Sequence, residues 1–186
     1  MNIIGITGTL GAGKGTIVDY LVKNKGFVHY SVRAYLIEEI TKRGMQVNRD
    51  SMVIVANGLR ASHSPSFIVE ELYNIAAKHQ VNCVIESIRT PGEAVALSSK
   101  GGFCLIAVDA DAAIRYQRII KRASETDHIS FETFLDNERR EFTSDDINKQ
   151  NLKKCIEMSD FIISNNEDIE SLHSRIEEIL MKISVS

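Results

Sequence analysis

The chain has 186 residues, of which 44% are hydrophobic and 25% charged, as is ordinary for a globular domain with a sizeable core. Its formal net charge of −3 gives no general attraction to nucleic acid or anionic membranes, so we expect neither as a partner. No apolar run is long enough to cross a bilayer, and the chain begins with a strand-like run rather than a signal sequence. We therefore expect a cytoplasmic protein.

Apolar runs alternate with helical patterns, which is typical of an α/β protein whose parallel sheet carries helices on both faces. The first predicted strand, Asn2–Ile6, and the first predicted helix, Gly15–Lys25, flank a glycine-rich loop. The later predicted elements are, in chain order, the strand Phe27–Tyr30, the helices Val32–Lys42 and Pro65–Lys78, the strand Asn82–Glu86, the helix Pro91–Ser99, the strand Phe103–Asp109, the helices Ala112–Lys121, Phe131–Glu141 and Ile147–Met158, the strand Asp160–Ser164 and the helix Asp168–Ile183.

The loop between the first strand and the first helix fits the pattern Gly-x4-Gly-Lys of a phosphate-binding loop (P-loop). Its backbone N–H groups and the helix N-terminus are suited to hold phosphate oxygens. Lys14 can bridge the outer phosphates, and the Thr16 hydroxyl lies near the expected position of Mg²⁺. The residues predicted to bind the nucleotide here are Gly8, Gly11, Ala12, Gly13, Lys14, Gly15 and Thr16.

Several arginines follow predicted strand ends, where ligands bind in an open parallel sheet. Arg33 follows the second strand, Arg89 follows the third, and Arg60 follows a helical run, so we predict that these three hold a substrate. Ser31 can either contact a substrate phosphate or cap the following helix. In contrast, Arg43, Arg49 and Arg175 have no such placement and are predicted to be surface residues.

A second group of arginines surrounds the polar stretch Arg122–Ser130, which reads as a loop between two helices. Arg118 and Arg122 are four residues apart on one helix and share a face. Arg139 and Arg140 come at the end of the next helix. This arrangement indicates a lid that closes over a phosphate group.

One acidic residue, Glu86, ends the third strand and is expected to face the P-loop. It can hold Mg²⁺, directly or through water, or cap a neighbouring group. Cys83, Cys104 and Cys155 lack metal-ligand spacing, and the first two lie in apolar strands, so buried thiols are expected.

Together these segments resemble the P-loop nucleoside monophosphate kinase superfamily. The loop Gly13-Lys14-Gly15-Thr16 is similar to that of adenylate kinases, and Ser31-Val32-Arg33 is similar to their substrate-phosphate segment. Glu86-Ser87-Ile88-Arg89 resembles their acid-to-arginine segment, although the family usually has Asp where this chain has Glu86. By the same resemblance, Arg118 and Arg122 lead into the lid, and Arg139 or Arg140 is a catalytic arginine beyond it.

A closer likeness is to small archaeal-type nucleotide kinases related to adenylate and dephospho-coenzyme A kinases, and to the P-loop domain of some deoxycytidylate deaminases. The shared segments are Ile88–Glu93 and Ser130–Glu138. Ser159–Asn165 resembles the loop that borders the adenine of ATP in these folds, which implies a nucleotide contact for Asn165.

The resemblance implies a three-layer α/β/α fold in one domain, residues 1–186, with a five-stranded parallel sheet of order 2-3-1-4-5 and a short helical lid. It places a substrate-binding insertion near residues 31–67 and the lid near residues 118–140. The implied activity is transfer of the γ-phosphoryl group of ATP, with Mg²⁺, to a nucleoside or deoxynucleoside monophosphate. A monomer or a homodimer is expected.

Four other functions remain to be weighed. A dephospho-coenzyme A kinase would benefit from a carboxylate base, and there is no acid between Gly5 and Gly15. A regulatory nucleotide-binding module would not need the arginine set. A GTPase is disfavoured because residues 148–151 lack the aspartate that reads guanine, and an AAA-type ATPase because Ser87, rather than a second acid, follows Glu86.

Overall fold

The computed structural model describes residues 1–123 and 129–184. Its five strands are β1 (Ile3–Gly8), β2 (Val28–Ser31), β3 (Cys83–Glu86), β4 (Phe103–Asp109) and β5 (Phe161–Ser164). They form one sheet in the order β2-β3-β1-β4-β5, and every neighbouring pair is parallel. The predicted α/β class and strand order are therefore confirmed.

The described ranges contain nine helices on this sheet: α1 (Lys14–Lys25), α2 (Val32–Lys42), α3 (Arg49–Ser62), α4 (Phe67–His79), α5 (Pro91–Ser98), α6 (Ala112–Arg122), α7 (Phe131–Phe142), α8 (Leu152–Glu157) and α9 (Ile169–Ser184). Eight of them match predicted helices, although α8 begins at Leu152 rather than at Ile147. The shortening has a local cause, because the Asn151 side chain accepts a hydrogen bond from the Lys154 N–H and so caps the helix there.

Helix α3 was missing from the prediction. Its interior combines the β-branched run Val53-Ile54-Val55 with Gly58, and both features lower helix propensity. Two other features stabilise it: a capping box in which Asn48 and Ser51 exchange side-chain and backbone hydrogen bonds of 2.9 and 3.0 Å, and a buried stripe that includes Leu59.

The central strands β1, β3 and β4 are buried on both faces, and alternate residues of β1 pack in the two cores. Ile3 packs in a cluster with α2, α4 and α5, through residues such as Leu36 and Ile68. Ile4 packs in a second cluster with α1 and α9, through residues such as Ile17. This two-sided burial is the pattern expected of an all-parallel sheet.

The three cysteines are buried, as predicted for Cys83 and Cys104. Burial raises the pKa of the Cys83 thiol to about 11 and those of Cys104 and Cys155 to about 12. None of the three lines the main cavity, so they serve as packing residues.

The carboxyl ends of β1, β2 and β3 meet at one edge of the sheet, where the P-loop, the start of α2 and the segment 87–90 emerge. The predicted lid region corresponds to the end of α6 and to α7; most of the polar loop between them, residues 124–128, lies outside the described residues. Across the ranges that the structure covers, no helix combines the length and the apolar character needed to cross a membrane.

Candidate active site

The P-loop links β1 to α1 through backbone conformations that only glycine adopts readily. Gly8 and Gly13 have φ of 131° and 108°. A Cβ atom at Gly8 would lie 1.9 Å from the Val108 carbonyl oxygen, and one at Gly13 would lie 2.3 Å from Asn165 Nδ2. The loop can therefore present its backbone N–H groups without side chains in front of them. Gly15 differs, since an added Cβ there would meet no atom within 4 Å.

Lys14 opens α1 and folds back over the loop. Its Nζ donates hydrogen bonds to the carbonyl oxygens of Gly8 at 2.8 Å and of Thr9 at 2.7 Å. Burial, together with repulsion from Arg89, lowers the pKa of Lys14 to about 7, against the opposing attraction of Glu86. A cation held in this way is stabilised by an incoming anion, as the phosphate-binding prediction requires.

Asn165, which follows β5, supports the P-loop through hydrogen bonds. Its Nδ2 donates to the Ala12 carbonyl at 2.8 Å, and its backbone N–H donates to the Asp109 carbonyl. Arg118 of α6 donates from Nη1 to the Asn165 carbonyl at 2.9 Å. The predicted nucleotide contact of Asn165 thus coincides with a direct structural role in shaping the P-loop.

A further support of the P-loop is Arg115 of α6, to which the sequence analysis assigned no role. It is 5% exposed and donates from Nε to the Ala110 carbonyl at 2.6 Å and from Nη1 to the Leu10 carbonyl at 3.3 Å. It also forms an ion pair of 2.7 Å with Glu138 of α7. Arg115 therefore ties the P-loop to α7.

Glu86 lines the main cavity together with P-loop residues, which agrees with its expected position at the end of β3. Its Oε1 accepts a hydrogen bond of 3.1 Å from the Ser31 hydroxyl, and its Oε2 accepts one from the Ser87 hydroxyl. Ser31 also caps α2, since its Oγ accepts from the Ala34 N–H at 3.1 Å. Of the two interpretations of Ser31, the structure confirms the helix cap and adds a hydrogen bond to Glu86, while the contact with a substrate phosphate stays a prediction.

The lining of the same cavity includes Arg33, Arg49 and Arg89. Arg49 was predicted to lie on the surface, and that prediction is wrong: its side chain is 20% exposed and forms an ion pair with Glu141 of α7. Arg89 donates from Nη1 to Glu141 at 2.6 Å and to Gln150 at 2.8 Å. Arg33 is exposed, and its Nη1 contacts Met52 Sδ at 3.3 Å.

Arg49 and Arg89 share one acidic partner, Glu141. Burial alone would raise its pKa, but the charges and hydrogen bonds of Arg89 and Arg49 more than reverse that effect and hold its pKa below the usual range. The carboxylate is therefore ionised at neutral pH.

Arg60 was predicted to hold the substrate, but the structure gives it a different role. It is 2% exposed within α3, and its Nε and Nη2 donate to Glu93 Oε1 at 3.0 and 2.7 Å. Glu93 Oε2 in turn accepts the backbone N–H groups of Arg89 and Thr90. Although Arg60 borders the cavity, its charge is neutralised inside the protein, and the pair positions Arg89.

Arg139 and Arg140 were predicted to include a catalytic arginine, and the structure places both away from the cavity lining. Their side chains are 77% and 63% exposed. On their own helix Arg139 pairs with Asp136 and Arg140 with Asn137, and Arg140 also lies 3.9 Å from Asp50 of α3. The buried face of α7 presents Phe134, Asn137 and Glu141 instead. Arg118 and Arg122, by contrast, do line the cavity.

The cavity as a whole encloses about 830 Å³. Its wall carries the basic side chains of Lys14, Arg33, Arg49, Arg60, Arg89, Arg118 and Arg122 against the acidic ones of Asp19, Glu86 and Glu141. This excess of cations in a protein of net charge −3 fits a strongly anionic ligand. Thr16 and Glu86 both line it and supply the oxygen donors that suit Mg²⁺.

Comparison with known proteins agrees with this geometry. A family model described as an AAA domain, AAA_18, matches residues 4–144. The chain belongs to this family. The family's description as an AAA domain contrasts with the sequence analysis, which disfavoured an AAA-type ATPase because Ser87, rather than a second acid, follows Glu86. The match and the fold are those expected of a P-loop nucleotide-binding domain.

The UPF0200 protein of Methanococcus vannielii is 27% identical over 98% of this chain and 99% of its own length. The structure of TT1252 from Thermus thermophilus has a TM-score of 0.60 at 21% identity, with 97% of each chain covered. Shikimate kinase from Bacteroides thetaiotaomicron has a TM-score of 0.55 at 16% identity, covering 97% of this chain and 98% of its own. At these identities the two structures show the fold alone.

Proposed function

We propose that the protein is a kinase that transfers the γ-phosphoryl group of ATP to a nucleoside or deoxynucleoside monophosphate. The observation that carries this proposal is the position of two basic groups on one cavity. The P-loop and Lys14 form the first, and Arg33, Arg49 and Arg89, which come from other segments of the chain, form the second. A hydrolase or a nucleotide sensor needs only the first of these groups.

Each residue has a role that follows from its position. Lys14 and the loop N–H groups bind the β- and γ-phosphates, and Thr16 and Glu86 hold Mg²⁺, which neutralises phosphate charge when bound. Arg89 and Arg33 orient the acceptor phosphate. Arg118 and Arg122, on the lid side, balance the negative charge of the transferring group. A phosphate acceptor needs no general base.

Dephospho-coenzyme A remains a second acceptor to test, because Glu86 lies on the cavity wall, where a carboxylate could accept a proton from a hydroxyl. Against it, the Glu86 carboxylate already accepts hydrogen bonds from Ser31 and Ser87. The cytoplasm, where ATP is abundant, is the proposed site of action.

The test is an ATP-consumption screen of the full chain with Mg²⁺ against nucleoside and deoxynucleoside monophosphates and dephospho-coenzyme A. We expect one class of monophosphate to stimulate turnover. Lys14→Ala should reduce that turnover at least about a hundredfold, the scale of removing one electrostatic donor from an active site. Lys153→Ala, which removes an exposed lysine of α8, is the matched control and should retain it.

Two results would contradict the proposal. ATP hydrolysis that no acceptor stimulates would favour an ATPase, in keeping with the family's description. ATP binding without any turnover would favour a regulatory module.

A further inference from the structure

Two arginines from distant parts of the chain converge on one carboxylate. Arg49 begins α3, Arg89 follows β3, and both donate from a terminal guanidinium nitrogen to Glu141 near the end of α7. The side chains of Arg49, Arg89 and Glu141 are 20%, 21% and 9% exposed, and all three line the main cavity. The contact therefore lies inside the cavity.

Glu141 satisfies this pair of cations only in part. One carboxylate faces two guanidinium groups, which leaves a surplus positive charge. Arg49 Nε is buried and, among the described residues, has no hydrogen-bond partner. Unsatisfied buried donors are uncommon in folded proteins and call for an explanation. A phosphate group brings more oxygens and more negative charge to the same donors than a carboxylate does.

We propose that Glu141 stands in for the oxyanion of the acceptor, and that acceptor binding displaces it from Arg49 and Arg89. This rests on the proposed function, since it specifies how the acceptor of that kinase is bound. It gives Arg49 a direct contact with the acceptor and makes Glu141 the residue that sets which acceptors enter. A neutral acceptor cannot displace the carboxylate, whereas a phosphate dianion binds the two arginines more strongly than a single negative charge does.

The neighbouring acids of α7 do not share this role. Glu138 pairs with the buried Arg115, which contacts the P-loop, and Glu132 is exposed in the first turn of α7. Of these three acids, only Glu141 contacts Arg49 and Arg89. Displacement of Glu141 from the two arginines would also release the end of α7. Acceptor binding is therefore coupled to the position of this lid helix.

The test is calorimetric titration of inorganic phosphate into the full chain saturated with a non-hydrolysable ATP analogue and Mg²⁺, so that the P-loop is already filled. Glu141→Gln removes the competing charge and keeps the shape of the side chain. We expect it to tighten phosphate binding about tenfold, as for the loss of one close charged competitor. Glu132→Gln makes the same change of net charge at an exposed site and should leave the affinity unchanged. A parallel titration with acetate distinguishes phosphate from carboxylate acceptors. The increase in affinity caused by Glu141→Gln should be larger for phosphate than for acetate, and the reverse order would contradict a phosphate acceptor.

Adding Arg49→Gln to Glu141→Gln should abolish the gain. Equal phosphate affinity in the wild type and in folded Glu141→Gln, or a gain that survives Arg49→Gln, would overturn the proposal. If Glu141→Gln does not fold, Arg49→Gln alone decides: weaker phosphate binding supports the acceptor role, and unchanged binding refutes it. Because binding is read directly, failure of the kinase screen leaves this result interpretable.

Discussion

A basic residue can serve this cavity by facing the ligand or by fixing the residues that do. Arg33 and Arg60 were grouped together as substrate ligands, yet their surroundings differ. Arg60 is 2% exposed and ion-paired to Glu93, while Arg33 is exposed beside Met52. The difference in burial separates a structural charge from one available to a substrate.

Arg60→Leu should lower the free energy of unfolding by about 3–5 kcal/mol, because it leaves the Glu93 carboxylate buried without its partner. Arg33→Leu should change stability by no more than about 0.5 kcal/mol, as surface substitutions do, and should raise the KM of the acceptor. Urea denaturation together with steady-state kinetics checks both. A stable Arg60→Leu protein with a raised acceptor KM would restore Arg60 to the substrate site.

At the level of elements, the P-loop depends on the turn between β5 and α9. The Asn165 amide closes that contact by donating to the Ala12 carbonyl, and the next residue, Asn166, contacts Asp111 from an exposed position. The two neighbouring asparagines therefore allow the bracing role to be tested with a control one residue away.

Asn165→Ala should destabilise the protein by about 1 kcal/mol for the lost hydrogen bond and should weaken ATP-analogue binding, because the loop loses its support. Asn166→Ala should leave the affinity unchanged. Denaturation and calorimetry measure the two effects. If both variants bind the analogue as the wild type does, the turn does not shape the P-loop.

Apolar runs in the sequence mark the buried strands, and a short contiguous motif marks the P-loop, whereas the sheet order was implied by the resemblance to P-loop kinases. The acceptor half was harder to predict. Arg49 begins α3, a helix that was not predicted because its β-branched run and Gly58 lower helix propensity. The partner of Arg49, Glu141, is 92 residues away in the sequence. Arg139 and Arg140 are adjacent to the buried face of α7 but not on it; the helix begins at Phe131 as predicted, but its sequence did not show which face packs toward the cavity.

For the molecule as a whole, the cation-rich cavity reduces stability. Lys14 titrates near pH 7 in the folded protein and at about 10.5 when unperturbed, so between these values the unfolded chain holds more protons. The contribution of Lys14 to the free energy of unfolding is therefore unfavourable below pH 7 and improves as the pH rises through that window.

Lys14→Met should remove this dependence. We expect the variant to be more stable than the wild type at pH 7 and the advantage to shrink at pH 9, as measured by urea denaturation at both values. Lys153→Met, at an exposed site, should show no such trend. An advantage that is equal at both pH values would mean that Lys14 keeps an ordinary pKa in the folded protein.

The open space around Gly15 offers a way to observe this cavity directly. No atom lies within 4 Å of the place where its Cβ would be, and the residue is exposed on the cavity wall. The three native thiols are buried, and their raised pKa values keep them protonated and unreactive. Gly15→Cys would therefore create a single labelling position for a fluorescent reporter at the mouth of the P-loop, without removing any native cysteine.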